Sequence, residues 1–209
     1  MSVYSRSQRK PMTITEAVSF ELIVKRSRFL TYLEPVTSKE DAQAVLEKYR
    51  NMHWDAVHHC YAWRLGDSGL QYRMSDDGEP SGSAGKPMLF ALQQASLCNV
   101  IVVVVRYFGG IKLGIGPLAR TYADSAKGAI EKAHFLPIIT RSRLRVHCLY
   151  DDVSRLISLL EEVQATYDVT YADTVTFDVH VPSDNEKFLQ EEILSRTNAR
   201  AGFSKITAD

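Results

Sequence analysis

The sequence predicts an α+β protein made of two α/β sandwich domains, residues 1–140 and 141–209. Three observations predict it. Short β-branched runs alternate with stretches of helical periodicity along the whole chain, so sheets and helices must share their cores. Pro137 punctuates the chain and places a boundary near Thr140. The remainder reads strand, helix, strand, strand, helix, strand, the order of a ferredoxin-like split βαβ unit.

The elements follow in order. Residues 18–24 and 29–34 alternate as a hairpin, with Lys25-Arg26-Ser27-Arg28 at its turn. Ser38 caps a helix and Asp41 stands three residues on, a carboxylate variant of the capping box. Ala42, Val45, Leu46 and Tyr49 recur at helical spacing and mark its buried stripe. Residues 57–65 and 70–74 are strands joined by Gly66-Asp67-Ser68-Gly69. A polar loop, residues 75–86, leads to a helix opening at Pro87 and running to about Leu97, where Asn99 can end it. Residues 101–107 form a strand whose β-branched start belongs to the most apolar run of the chain, Val100–Val105, as for a strand covered on both faces. A second loop, residues 108–116, leads to a helix from Pro117 to about His134, with Leu118, Tyr122, Ala126, Ala129, Ile130 and Ala133 on one face. Beyond the boundary lie strands at 143–150, 167–171, 174–181 and 202–207 and helices at 152–165 and 184–196.

Composition narrows the function classes. Hydrophobic residues make up 45% of the 209 and charged residues 24%, enough to bury a core without staples. Cys60, Cys98 and Cys148 are odd in number and far apart, which fits a reducing cytoplasm rather than a disulfide framework. No apolar run approaches the ~20 residues of a membrane span, so no membrane partner is expected. Residues 1–10 carry charge without an apolar stretch behind them and read as a flexible arm, not a signal peptide. Net charge is zero but uneven: residues 1–145 hold 20 Lys+Arg against 13 Asp+Glu, and residues 146–209 hold 5 against 12. The basic part suits a phosphate-bearing partner, and the acidic domain suits a protein partner.

Chemistry concentrates at the two glycine-rich loops, each of which runs into a helix. Free backbone N–H groups and the helix dipole make such junctions attractive to anions. The first loop offers Asp76, Asp77, Gly78, Glu79, Ser81 and Gly85, followed by Lys86. The second offers Arg106, Tyr107, Gly109, Gly110, Lys112 and Gly114, followed by Arg120. Neither is a nucleotide motif. Gly85-Lys86 lacks the first glycine and the hydroxyl of a Walker A loop. Gly114-Ile-Gly116 lies too far past its strand for a dinucleotide turn, and no second parallel strand ending in an acidic residue follows for the ribose contact. His58-His59-Cys60 has no second ligand cluster for zinc and reads as a strand with a packed cysteine. No cofactor and no bound metal is expected. Basic residues interleaved with aromatics between 101 and 145 suit an RNA backbone and stacked bases.

At these residues the sequence becomes recognisable. Asp76-Asp-Gly-Glu-Pro-Ser-Gly-Ser-Ala-Gly-Lys-Pro-Met88 and Val102-Val-Val-Val-Arg-Tyr-Phe-Gly-Gly-Ile-Lys-Leu-Gly114 resemble the signature of the IMPACT/YigZ family. Lys25-Arg-Ser-Arg-Phe29 and His58-His-Cys-Tyr-Ala-Trp63 support it. The resemblance covers nearly the whole chain and departs from the family pattern at Pro117, where glycine is usual. It implies an N-terminal domain like the second domain of ribosomal protein S-five, a ferredoxin-like C-terminal domain, and an arrangement like the last two domains of elongation factor G. It also implies association with translation. The leading expectation is therefore a binding protein that contacts RNA, the ribosome or a translation factor through Lys86, Arg106, Lys112 and Arg120. The alternative is a hydrolase or transferase acting on a phosphorylated small molecule, with a metal at Asp76, Asp77 and Glu79.

Overall fold

A computed structural model describes residues 10–206. The arm expected over the first ten residues lies, apart from Lys10, outside the described residues. The chain divides into two compact units, Met1–Ile138 and Ile139–Asp209.

The first unit carries a five-stranded sheet. Its strands are β2 (Val18–Val24), β3 (Ser27–Pro35), β4 (His58–Leu65), β5 (Gln71–Ser75) and β6 (Val100–Tyr107), in the order β2-β3-β6-β4-β5. Every neighbouring pair is antiparallel. Helix α1 (Lys39–Met52) covers one face, and α2 (Gly85–Gln94) and α3 (Ile115–Lys132) cover the other. This explains the unbroken apolar run Val100–Val105 within β6. Val100, Val102 and Val104 pack toward α2 and α3, while Ile101, Val103 and Val105 pack toward α1. Antiparallel sheets usually wet one face, but here helices cover both.

Local signals act where expected. Lys25 and Arg26 take positive φ of 46° and 70° and close the two-residue β2–β3 turn. Ser38 accepts from the Asp41 N–H while the Asp41 carboxylate accepts from the Ser38 N–H, a reciprocal capping box. Two helix starts differ from the sequence reading. Helix α2 begins at Gly85 and α3 at Ile115, so Pro87 and Pro117 stand third rather than first. Proline fits there because the first-turn N–H groups have no intrahelical partner. Helix α2 ends at Gln94, and Ser96 and Asn99, both at positive φ, turn the chain into β6. The short ribbon of β1 (Met12–Ile14) and β7 (Phe135–Pro137) has no precedent in the sequence reading; three-residue strands give too little alternation to detect.

The second unit orders its strands β11-β8-β10-β9, with β8 (Arg141–Cys148), β9 (Thr166–Tyr171), β10 (Val175–Pro182) and β11 (Gly202–Lys205). Helices α4 (Val153–Glu162) and α5 (Glu186–Arg196) complete a βαββαβ order. Burial alternates strictly along β8 and β10, as for a sheet with one face on the core and one in water. On β8 the wet face carries Arg141, Arg143 and Arg145. Counted at the unit boundary, the charge split is therefore smaller than expected. Residues 1–138 hold 17 Lys+Arg against 13 Asp+Glu, and residues 139–209 hold 8 against 12. Arg145 is also engaged, donating from both Nε and Nη2 to the Asp178 carboxylate.

Candidate functional site

The two glycine-rich loops meet in space. Together they wall a cavity of about 510 Å³ in the first unit. Glu79 and Pro80 come from the first loop, and Phe108, Lys112, Leu113, Gly114 and Ile115 from the second. Val57 and His58 of the β4 approach, Arg106 at the end of β6 and Leu118 of α3 complete the lining.

A buried polar cluster lies against it. Arg106 is the last residue of β6 facing α2 and α3, and only 5% of it is exposed. Its guanidinium donates to Glu79 Oε1 at 2.6 Å and to Ser27 Oγ at 3.4 Å. Its Cζ also stands over two aromatic rings, 5.2 Å from the Phe29 centroid and 5.5 Å from that of Phe108. Glu79 is buried too and accepts a second bond from the Tyr122 hydroxyl at 2.7 Å. His58 Nε2 stands 3.8 Å from Glu79 Oε2. Cys60 Sγ is 3.0 Å from the Asp76 carbonyl oxygen and 3.3 Å from the Tyr122 hydroxyl. Burial, followed by its Cys60 and Glu79 neighbours, holds the Tyr122 phenol far above its ordinary range, so it remains a donor. Burial likewise pushes the Cys60 thiol up and out of the thiolate range.

The remaining acids of the first loop diverge. Asp76 turns back on its own helix: its carboxylate accepts from the N–H groups of Gly82, Ala84 and Gly85 at 2.8–2.9 Å. The start of α2, expected to attract an external anion, is thus satisfied from within. Asp77 accepts from the His59 N–H at 2.6 Å, and its other oxygen faces Arg50 at 3.5 Å. Among the described residues no three His, Cys, Asp or Glu side chains are placed to hold a metal ion. Asp76, Asp77 and Glu79 each serve a different partner and do not converge on one point.

The expected basic surface is also divided. Arg106 is buried and ion-paired with Glu79 rather than presented as a free surface cation. Tyr107 faces the opposite side of the sheet, where its hydroxyl donates to Asp55 and lies 3.0 Å from His53 Nδ1. Lys86 is exposed in a separate groove with Tyr72, Met74 and Phe90. Lys112 lines the cavity and is exposed; Arg120 is exposed on α3. Gly78, Gly110 and Gly114 take positive φ, which glycine adopts without strain. Ser81 is exposed, while Gly85 lies so close to β5 that a Cβ would stand 2.9 Å from the Ser75 nitrogen. The sequence reading did not foresee Ser27 in the cluster or the exposed Ile115 on the rim, and it took Phe108 and Tyr122 only as aromatics interleaved with basic residues. Tyr122 read besides as a core residue because a helical stripe does not show which of its members carries a hydroxyl into a polar cluster.

A pH effect follows from Asp76. Burial raises its pKa, but three backbone N–H bonds outweigh that and hold it below its ordinary 3.8. A depressed carboxylate stabilises the fold above the unfolded value, and the contribution is lost as pH falls through the folded value, from about pH 4 downward. Asp76→Ala should cost about 1–3 kcal/mol at pH 7. The gap to wild type should narrow by pH 3, measured by urea unfolding at both pH values. A gap independent of pH would contradict this account.

Fold and site together define an α+β protein of two units whose larger unit carries a loop-walled cavity over a buried Glu–Arg pair. The chain belongs to the IMPACT family: the Impact N-terminal domain matches residues 25–130. An IMPACT family member of Bacillus subtilis, YvyE, is 32% identical over 193 residues, covering 90% of this chain and 88% of that protein. One of Haemophilus influenzae is 42% identical over 150 residues, covering 71% and 73%. A crystal structure of a hypothetical protein aligns with a TM-score of 0.65 at 30% identity, covering 96% of this chain and 98% of that one. Among the described residues no helix is long and apolar enough to cross a membrane.

Proposed function

We propose that the chain is a translation-associated binding protein that takes a single-stranded RNA segment of the translation machinery at the cavity between its two glycine-rich loops. The carrying observation is the makeup of that cavity. Its floor is an internally neutralised ion pair, and its rim offers an exposed ring, Phe108, beside an exposed ammonium, Lys112. Such a site suits a base stacked on an aromatic ring with its phosphate on a cation. The groups that would serve catalysis are otherwise engaged: Glu79 holds Arg106 and accepts from Tyr122, and burial keeps Cys60 protonated. The family resemblance supports the link to translation and the ribosomal protein S-five-like reading of the first unit. The strand order β11-β8-β10-β9 supports a ferredoxin-like second unit.

The test is co-sedimentation with ribosomes across a salt series. Binding should weaken steeply with salt, because phosphate contacts release counterions. Lys112→Glu should weaken binding and lower the salt slope by about one. Phe108→Ala should cost about 1–3 kcal/mol of affinity with the slope unchanged. Salt-independent binding, or none at low salt, would sink the reading.

A further inference from the structure

Among the described residues strand β5 is an edge of the five-stranded sheet, with one side paired to β4 and no strand on the other. Four of its five residues are exposed, Ser75 alone being half-buried. Natural edges are blunted by proline, bulges or inward charges. Gln71-Tyr-Arg-Met-Ser75 has no proline and a single charge, Arg73. Apolar groups are unusually open there: Leu70 is 80% exposed, Tyr72 55% and Phe90 57%.

The two sides of this edge differ. Tyr72 and Met74 pair across the ladder with Arg64 and Ala62, on the side of α2. They line a groove with Pro87, Leu89 and Phe90, with Lys86 at its margin. Gln71 and Arg73 point to the α1 side, where Arg73 pairs with Trp63 and Lys39 lines the same recess. The two linings include Lys39, Arg73 and Lys86 and no Asp or Glu.

We propose that the open edge of β5 docks an extended segment of a partner protein, which adds as a sixth strand and alternates apolar with acidic side chains. Successive side chains of a strand point to opposite faces. The apolar set would enter the α2 groove and the acidic set would meet Arg73 and Lys39, while the free backbone groups of β5 supply the ladder. The open backbone edge favours a peptide over a nucleic acid, which cannot complete that ladder. A second copy fits less well: antiparallel self-pairing centred on Arg73 sets the two guanidinium groups opposite each other. This surface is separate from the RNA cavity, and neither proposal needs the other.

The probe is a fluorescein-labelled peptide of four Glu-Val repeats, followed by anisotropy with the full chain. Saturable binding is expected. Lys39→Glu with Arg73→Glu should weaken it about tenfold or more, and a Lys-Val peptide should then bind the reversed variant. N-methylation of alternate peptide amides should abolish binding in one register and spare it in the other. Lys112→Glu should leave peptide affinity unchanged, which separates this site from the RNA cavity. Circular dichroism melting of each variant shows that the fold is retained. Absence of binding, or indifference to N-methylation in both registers, overturns the proposal. Competition by an oligouridylate would reassign the edge to nucleic acid. A dimer dissolved by Arg73→Glu would reassign it to self-pairing.

Discussion

Glu79→Ala is expected to destabilise the first unit by about 3–5 kcal/mol, because it strands the Arg106 guanidinium without its carboxylate. Both side chains of the pair are almost fully enclosed, at 6% and 4% exposure. Tyr122 would lose its acceptor at the same stroke, and its buried hydroxyl would face only the Cys60 sulfur. The reciprocal Arg106→Ala should cost a similar amount, since it leaves a buried carboxylate with one phenol donor. Removing both charges together is a different matter. Glu79→Gln with Arg106→Met should recover much of the loss, as a buried pair replaced by neutral groups often folds as well as the original. Both tryptophans, Trp54 and Trp63, lie in the first unit, so their fluorescence follows its unfolding without a contribution from the second. If Glu79→Ala unfolds at the wild-type urea midpoint, the cluster is not a structural keystone. The result also bears on binding experiments: substitutions at Arg106 weaken the fold itself, so a loss of RNA binding there says little about contact.

The elements were legible because their signals are local. Ser38 and Asp41 mark a helix start within four residues, and the stripe from Leu118 to Ala133 marks a buried helix face. The alternation of β8 and β10 marks a sheet wet on one side. The site was legible only in outline. Glycine spacing identified the two loops, but charge type does not reveal charge partner. Arg106 read as a surface cation because basic residues cluster around it in sequence; the fold sets it opposite Glu79, 27 positions away. Asp76 had two readings, a metal ligand of the alternative function or a complement to a helix start; its carboxylate takes the second role, for the helix that begins nine residues downstream. Tyr107 and Arg106 are adjacent in sequence and therefore face opposite sides of the sheet. Strand alternation carries that last fact, which divides the aromatic and basic residues of this stretch between two surfaces.

Gly109→Ala should disable the second loop, while Gly110→Ala next to it should not. A Cβ at Gly109 would stand 2.1 Å from the Arg26 carbonyl carbon and 2.3 Å from the Ser27 nitrogen. These are backbone atoms of the β2–β3 turn, so the loop must move. Movement breaks the bond from the Gly109 N–H to Ser27 Oγ, the same oxygen that accepts from Arg106. Overpacking and the lost bond together should cost about 2–4 kcal/mol. Phe108 and Lys112 ride on the displaced segment, so the RNA binding proposed for this loop should weaken even where the variant remains folded. Gly110 has φ of +83° with nothing within 4 Å of a built Cβ. Alanine there bears only the left-handed backbone cost of about 1–2 kcal/mol and leaves the rim in place. The comparison is made by ribosome co-sedimentation at a temperature where both variants are fully folded by tryptophan fluorescence. Equal binding by the two variants would detach affinity from the loop's seat on the β2–β3 turn. A deficit confined to Gly109→Ala would tie it to that seat, because the two substitutions add the same methyl group one residue apart and differ in what the methyl meets.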